Sequence, residues 1–161
     1  MFDKSLDYKS YFQHEWVIST AKEIASYKSK DDDRTLDEKL VDATNGCAVQ
    51  YAVFEHLKEK DLNVEHAPED RKEYDLVIRF GDKTIHADVK GIFKQNTKYF
   101  GQTPWEKENV PKLGFPVYYL CFDCKSGEGI YRGWCTDKDF LPSKFNKGTY
   151  TFTDKLKVGF P

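Results

Sequence analysis

The segment from Tyr74 to Lys90 constrains the fold most, because two runs of alternating apolar and polar residues flank Gly81-Asp82. A two-residue loop that begins with glycine is typical of a type II′ turn, so the two runs are predicted to form a β-hairpin. If Gly81 and Asp82 form the loop, Phe80 pairs with Lys83, and this register determines every later pair. One face of the hairpin then carries three apolar pairs: Ile78 with Ile85, Leu76 with Ala87, and Tyr74 with Val89.

The same register places Asp75 opposite Asp88 on the other face of the hairpin. Directly opposed residues have Cβ atoms about 5 Å apart, and two carboxylates at that distance repel each other. A divalent cation removes the repulsion, and Mg²⁺ favours hard oxygen ligands such as carboxylates. The hairpin therefore predicts a metal site at Asp75 and Asp88, at which we expect Mn²⁺ to replace Mg²⁺.

Lys90 follows Asp88 by two residues and so projects from the same strand face. A lysine beside a metal-bound phosphate can orient water or stabilise the charge that develops in the transition state. The alternative interpretation is a solvated strand face, since an Asp-x-Lys pattern is common on exposed strands. The opposed Asp75 favours the metal site.

A long amphipathic helix is predicted from about Thr35 to Lys60, with Thr35 as N-cap and Glu38 completing a capping box. Gln50 is the only strongly polar member of its apolar stripe, so its amide needs a buried partner. Either Gln50 bonds to a backbone group of the core, or it reaches Asp75 and Asp88 as a third ligand or a water-holding group. Glu55 is chemically the better metal ligand but lies off the stripe. The stripe consists of Leu36, Leu40, Ala43, Cys47, Gln50, Phe54 and Leu57.

The remaining patterns predict a single α/β domain with a mixed sheet covered by helices. Two N-terminal helices are expected within residues 9–60, the first with an apolar stripe at Phe12, Trp16, Ile24 and Tyr27 and with Ala21 beside it. The sheet is expected within residues 62–136, followed by a tail at 137–161 in which Tyr150 and Phe152 predict an edge strand. Strands are predicted at 62–66, 74–80, 83–90, 116–123 and 129–135, with a long loop at 91–115 and an acidic loop at Asp31-Asp32-Asp33.

Asp75, twelve further residues and then Asp88-Val89-Lys90, preceded by a helix with Gly46-x-x-x-Gln50, resembles the PD-(D/E)xK nuclease superfamily. The resemblance implies a restriction-endonuclease-like or Holliday-junction-resolvase-like fold, with a mixed sheet of about five strands flanked by helices. It also implies Mg²⁺-dependent cleavage of DNA, less often RNA, in which Asp75 and Asp88 ligate the metal and Lys90 positions the attacking water. Gln50 stands where the family normally has Glu, which leaves Glu55 or Glu38 as substitutes, and Tyr74 stands where the family has proline.

Basic and aromatic residues alternate in the predicted long loop that follows the site. This composition is typical of phosphate contacts and base stacking, although a loop anchored by its aromatics with solvated lysines fits equally. Lys94 and Gln102 are further candidates for groups at the scissile phosphate. The predicted nucleic-acid contacts are Lys94, Lys98, Tyr99 and Trp105.

The net charge of −2 argues against a nonspecific nucleic-acid binder, yet the charge is unevenly distributed. Residues 1–80 carry 12 basic and 18 acidic side chains, whereas residues 81–161 carry 13 and 9. Cys121 and Cys124 form a lone CxxC without a second pair, which favours core thiols over a zinc site. No apolar run approaches the roughly 20 residues of a membrane span, so we expect a cytoplasmic protein with reduced cysteines.

These patterns favour a Mg²⁺-dependent DNA endonuclease. The alternative, from another class, is a noncatalytic nucleic-acid-binding or protein-interaction domain on the same fold, which Gln50 in place of Glu supports. A chain of this size with one site needs two copies to cut both strands of a duplex, so we also expect a homodimer.

Overall fold

The computed structural model describes residues 1–27, 32–142, 150–152 and 155–161. Its α-helices are α1 (Glu15–Ser26), α2 (Leu36–Glu59) and α3 (Pro104–Asn109). Its strands are β1 (Asn63–His66), β2 (Leu76–Phe80), β3 (Lys83–Ile92), β4 (Gly101–Gln102), β5 (Val117–Asp123), β6 (Ile130–Cys135), β7 (Leu141–Pro142) and β8 (Tyr150–Thr151).

Five strands form a mixed sheet in the order β1-β2-β3-β5-β6. β3 and β5 run parallel, and the other neighbouring strands of this sheet are antiparallel. Helices lie against the sheet, so the predicted α/β class with a mixed sheet of about five strands and flanking helices is confirmed. β4, β8 and β7 form a separate small sheet in that order.

The predicted hairpin register is confirmed along the whole of β2. Phe80 pairs with Lys83, and Ile78 with Ile85. Gly81 has a φ of 58°, the left-handed conformation that a type II′ turn requires at its first loop residue. The register therefore follows from the turn and from the alternating apolar residues together.

The predicted pair of Tyr74 with Val89 is wrong, because β2 begins only at Leu76. The backbone N–H of Val89 donates to the Asp75 carboxylate at 2.8 Å. The Asp75 side chain therefore takes the place of the backbone carbonyl that would continue the ladder. Tyr74 lies instead against His86 and Phe115, with ring centroids 4.9 and 5.9 Å away. The ladder thus ends at the residue that carries the first carboxylate.

Apolar side chains cover both faces of the sheet. On one face, Leu76 and Ile85 pack against Val49 and Val53 of α2. On the other face, Val77 packs in a second cluster with members from β5, β6 and the segment 100–152. Because successive strand residues alternate between faces, Asp88 and Lys90 point towards the second cluster, away from the face that α2 covers.

The helices differ from the sequence prediction in the face that they bury. The buried residues of α1 are Val17, Ala21 and Ala25, whereas Ile24 and Tyr27 are 47 % and 51 % exposed. Small side chains at every fourth position let α1 approach α2 closely, which large side chains on that face would prevent. In α2 the predicted capping box of Thr35 and Glu38 is present, but Leu36 at the start of the predicted stripe is exposed.

The segment 91–115 is not one long loop. It contains the end of β3, then β4, α3 and a 3₁₀ turn at Val110–Leu113. Thr103 caps α3 through a capping box with Glu106, and Pro104 occupies the first turn. The tail strand around Tyr150 is the middle strand of the small sheet rather than an edge of the main one. Asp31 of the predicted acidic loop, and residues 143–149 and 153–154 of the tail, lie outside the described residues.

Within the part of the chain that the structure describes, no helix combines the length and apolar character needed to cross a bilayer.

Gly133 permits the close approach of the C-terminal segment to β6. Its φ is 129°, and a Cβ there would lie 2.5 Å from the carbonyl oxygen of Lys157. That oxygen accepts the N–H of Trp134 at 3.0 Å. We expect Gly133→Ala to lower the free energy of unfolding by about 2 kcal/mol or more, measured by urea denaturation.

Gly46 is the matched control for this substitution. It is exposed in the middle of α2, and a Cβ there would meet no atom within 4 Å. Gly46→Ala is expected to raise the free energy of unfolding by roughly 0.5–1 kcal/mol. Equal effects of the two substitutions would contradict the proposed role of Gly133.

Candidate functional site

Asp75 lies at the point where β2 begins, and both its backbone and its side chain bind β3. Its N–H donates to the carbonyl of Ala87 at 2.8 Å, and its Oδ2 accepts the N–H of Val89 at 2.8 Å. These two hydrogen bonds hold the carboxylate against the strand that carries Asp88. The structure therefore brings the two predicted carboxylates into the same region by backbone pairing.

Asp88 and Lys90 lie two residues apart in β3 and share a face. Asp88 is 5 % exposed, and the Lys90 Nζ lies 3.1 Å from its Oδ1. Among the described residues, that Oδ1 has no hydrogen bond of acceptable geometry. The ion pair with Lys90 offsets part of the cost of burying this oxygen, and the oxygen can still accept a further cation.

Glu106 is an acidic residue of the site that the sequence reasoning missed. It lies in the first turn of α3, and its Oε1 is 3.6 Å from the Lys90 Nζ. Its other oxygen accepts the Thr103 N–H at 3.1 Å, so the helix cap holds the carboxylate in place. The motif Thr103-Pro-Trp-Glu106 was a readable helix-start signal, but nothing in the sequence places that helix beside Lys90.

Burial dominates the electrostatics of both aspartates. It raises the pKa of Asp88 well above its ordinary value, and the charges of Asp75 and Glu106 add to this while Lys90 opposes it. Burial also raises the pKa of Asp75, although the hydrogen bond from the Val89 N–H acts to lower it. Burial alone would lower the pKa of Lys90, but the charges of the three carboxylates outweigh it and raise that pKa.

The donor chemistry of Asp75 and Asp88 is the kind that a divalent cation prefers. Three carboxylates (Asp75, Asp88 and Glu106) surround one ammonium (Lys90), which leaves an excess of two negative charges when all are ionised. Across the described ranges, no group of three His, Cys, Asp or Glu side chains is arranged to hold a metal ion. Two carboxylates with an unsatisfied oxygen suit Mg²⁺, which keeps several waters and shares its remaining positions with substrate phosphate.

The two candidate helix residues lie in different places. Gln50 follows Cys47 by one turn of α2, and Cys47 is close enough to Asp75 that this charge, after burial, helps to raise the thiol pKa to about 12. No hydrogen bond within the described residues joins Gln50 to either aspartate, so its role stays a prediction. Glu55 lies beside Tyr51 and Tyr11, where it contributes to raising their pKa after burial.

The predicted nucleic-acid residues separate into buried and exposed ones. Gln102 is 3 % exposed in β4, whereas Trp105 is 51 % exposed beside Glu106 in α3. Lys98 and Tyr99 are exposed ahead of β4. Lys94 is exposed and lines an open groove with residues that precede α2 or lie in its first two turns, which are Asp33, Arg34, Asp37, Glu38, Val41 and Asp42.

All four cysteines are buried free thiols, as the interpretation as core residues predicts. Burial raises the pKa of Cys124 to about 12. Such thiols are poor nucleophiles and poor metal ligands at neutral pH because both roles need the thiolate.

Asp75→Asn is expected to stabilise the metal-free protein at neutral pH. In the unfolded chain Asp75 ionises near its ordinary pKa, whereas the raised pKa in the fold means that ionisation there costs free energy. Stability is therefore lost as the pH rises through this window, and asparagine avoids the loss while its side-chain oxygen still accepts the Val89 N–H. Urea denaturation in EDTA should show a gain on the order of 1 kcal/mol at pH 7.5 that shrinks towards pH 4.

The exposed Asp70 provides the control, because Asp70→Asn should change stability little at either pH. A loss of stability for Asp75→Asn at every pH would show that Lys90 already compensates the buried charge.

Comparison with known proteins adds a structural likeness. No protein-family model matches the chain, and neither does any curated protein. The chain is similar in structure to Hjc, a Holliday junction resolvase from the archaeal hyperthermophile Archaeoglobus fulgidus. The two sequences are 10 % identical, and the TM-score is 0.44. The match covers 63 % of this chain and 84 % of Hjc. Similarity at this level assigns neither a family nor an activity to the chain.

Proposed function

We propose that this protein is a Mg²⁺-dependent nuclease that hydrolyses phosphodiester bonds in DNA at a site formed by Asp75, Asp88 and Lys90. The observation that carries the proposal is the buried Asp88 carboxylate, whose Oδ1 lacks a hydrogen bond although a second carboxylate and a lysine adjoin it. Keeping such a cluster of buried charges costs folding free energy unless a ligand compensates the charges. The resemblance of Asp75, Asp88 and Lys90 to the PD-(D/E)xK motif supports the same assignment.

Each residue has a distinct role in this proposal. A bound Mg²⁺ would supply Lewis-acid stabilisation of the phosphoryl oxygen and an activated water. Asp75 and Asp88 would hold the ion, Asp75 in an orientation that its hydrogen bond from Val89 maintains. Lys90, held between Asp88 and Glu106, would place its ammonium where it orients water or balances the charge that develops on the phosphate.

Gln50 is proposed as the third group of the site, on the turn of α2 that follows Cys47. Its amide oxygen can accept a hydrogen bond or ligate a cation, although less strongly than a carboxylate. Among the acidic candidates, Glu38 is engaged in the cap of α2, and Glu55 lies beside Tyr51. Gln50 therefore remains the first choice among the residues of α2.

The surface around α3 is proposed to contact the DNA. Trp105 presents an exposed ring one residue before Glu106. The Glu106 carboxylate lies 3.6 Å from the Lys90 Nζ. Exposed aromatics beside a phosphate-binding site are suited to base stacking. We also propose that the flanking phosphates and bases are bound by three residues that precede α3 in the chain, Lys94, Lys98 and Tyr99. A homodimer that places one such surface on each strand is part of the proposal.

A noncatalytic DNA-binding or protein-interaction domain is the second candidate. It is favoured by the ion-pair cluster, because Lys90 already contacts Asp88 and Glu106 and could serve as their permanent counter-ion. In that case the cluster would stabilise the sheet–α3 interface and would not bind a cation.

A plasmid-nicking assay in Mg²⁺ tests the catalytic proposal. Wild type is expected to nick supercoiled DNA, Asp88→Ala to lose measurable activity, and Lys90→Ala to lose activity about 10²- to 10³-fold. Glu108→Gln is the control, because Glu108 is an exposed acidic residue of α3 and should leave activity unchanged.

A calorimetric Mn²⁺ titration separates the two candidates. The nuclease predicts one site that disappears in Asp75→Ala, whereas the noncatalytic domain predicts no such site. Equal nicking by wild type and Asp88→Ala, or no cleavage with any divalent metal and DNA form, would overturn the catalytic proposal.

Trp105→Ala is expected to weaken DNA binding about 10-fold, because stacking of one base on an aromatic ring contributes roughly 1–3 kcal/mol. Fluorescence anisotropy of labelled DNA in EDTA measures binding without cleavage. Phe80 is the matched control, since it is 58 % exposed at the tip of the β2–β3 hairpin. The same loss for Phe80→Ala would show that the effect is not specific to the α3 surface.

A further inference from the structure

The ammonium of Lys90 contacts carboxylates from two different elements of the fold. Its Nζ lies 3.1 Å from Oδ1 of Asp88 on the same strand, and 3.6 Å from Oε1 of Glu106 on α3. A lysine side chain is a flexible four-carbon chain, so a single ion pair does not fix the position of its end. Contacts with two separate elements restrict the Lys90 ammonium to the space between them.

The Glu106 carboxylate divides its two oxygens between the helix cap and Lys90. Its Oε2 accepts the Thr103 N–H at 3.1 Å and the Thr103 hydroxyl at 2.9 Å. Its Oε1 lies towards the Lys90 ammonium. The start of α3 therefore sets the orientation of this carboxylate, and Glu106 presents a fixed negative charge to the lysine.

The position of α3 does not depend on the charge of Glu106. The neighbouring Lys107 ammonium donates to the carbonyl of Asp137 at 3.1 Å and lies over the ring of Phe140, 5.4 Å from its centroid. Val110, which directly follows the helix, is fully buried. A substitution that removes only the charge of Glu106 is therefore expected to leave α3 in place.

The proposed site makes conflicting demands on Asp88 and Lys90. Asp88 is assigned to a divalent cation, yet its Oδ1 is also the atom closest to the Lys90 ammonium. The charges of three carboxylates act on Lys90, and two of these carboxylates, Asp88 and Asp75, are the proposed metal ligands. Glu106 is the third, and it can pair with Lys90 without occupying a metal ligand.

We propose that Glu106 is a positioning residue that retains the Lys90 ammonium when Asp88 holds a divalent cation. The inference rests on the proposed nuclease function and gives a role to a residue outside the Asp75, Asp88 and Lys90 motif. Without the charge of Glu106, the carboxylates left to Lys90 are the metal ligands themselves. The ammonium then competes with the cation for Oδ1 of Asp88.

Glu106→Gln tests the inference because a glutamine at this position preserves the capping box. Its amide oxygen is needed by the Thr103 N–H, so its NH₂ group, which is a donor, faces the Lys90 ammonium and does not bind it. Calorimetric titration should show Mn²⁺ binding about 10-fold weaker than in wild type. Glu108→Gln is the matched control, since Glu108 is exposed in the same helix and its substitution should leave the affinity unchanged.

A double-variant cycle with Lys90→Met shows whether Glu106 acts through the lysine. Methionine keeps an unbranched side chain and removes the competing ammonium. In this background Glu106→Gln should change the Mn²⁺ affinity by less than about 2-fold, because its effect depends on Lys90. If the full loss persists without the lysine, Glu106 attracts the cation by its charge alone, and the inference is overturned.

Glu106→Asp provides a second test in the presence of Lys90. It keeps the negative charge but shortens the side chain by one methylene group, so the carboxylate reaches less far towards the ammonium. We expect Mn²⁺ binding to be weakened in this variant too. An affinity equal to that of wild type would show that the contact with Lys90 is not needed, which also overturns the inference.

The outcomes separate this inference from the function on which it rests. If Glu106→Gln binds Mn²⁺ as tightly as wild type, the inference is overturned while the nuclease proposal stands. If wild type itself binds no Mn²⁺ at a site that needs Asp75, the proposed function fails, and the role of Glu106 fails with it.

Discussion

The pairing of β2 with β3 determines where every charged group of the candidate site lies. Its register brings Asp75 to the strand that carries Asp88 and Lys90, and the N–H of Val89 then closes on the Asp75 carboxylate at 2.8 Å. A slip of one residue would move Asp88 to the face that α2 covers and would take Leu76 and Ile85 away from their cluster with α2. Burial of the apolar face therefore maintains the geometry of the polar one.

Burial of this site has an electrostatic cost that shapes its chemistry. Asp88 is 5 % exposed, and its neighbours include two further carboxylates but only one ammonium. In such surroundings the carboxylates resist ionisation, so a cation that binds them must displace protons or offset the repulsion. Under the proposed function, a divalent cation would neutralise the local excess of negative charge, so the net charge of −2 does not argue against DNA binding at this site.

Local patterns predicted the parts of the fold that depend on neighbours in the chain. The hairpin, the capping box at Thr35 and the five strands followed from turn chemistry and from apolar periodicity. Where the predictions were wrong, tertiary packing decided. Ile24 and Tyr27 are exposed because α1 packs through its small residues, and Tyr74 leaves the ladder because the side chain of Asp75 takes the place of a backbone partner.

The sequence by itself predicted Asp88 and Lys90 on one face of β3 and Asp75 just before β2, because a two-residue turn and alternation at period 2 are local properties that fix the register of the hairpin. Tertiary structure alone decided that Glu106 joins them and that Tyr119 of β5 is the register partner of Asp88. Glu106 arrives on α3 from another layer, and Tyr119 arrives through a parallel pairing of β3 with β5. A parallel pairing needs a crossover connection whose length leaves the register open. Its register is set only when both faces of the sheet are packed, and no short stretch of sequence contains that information.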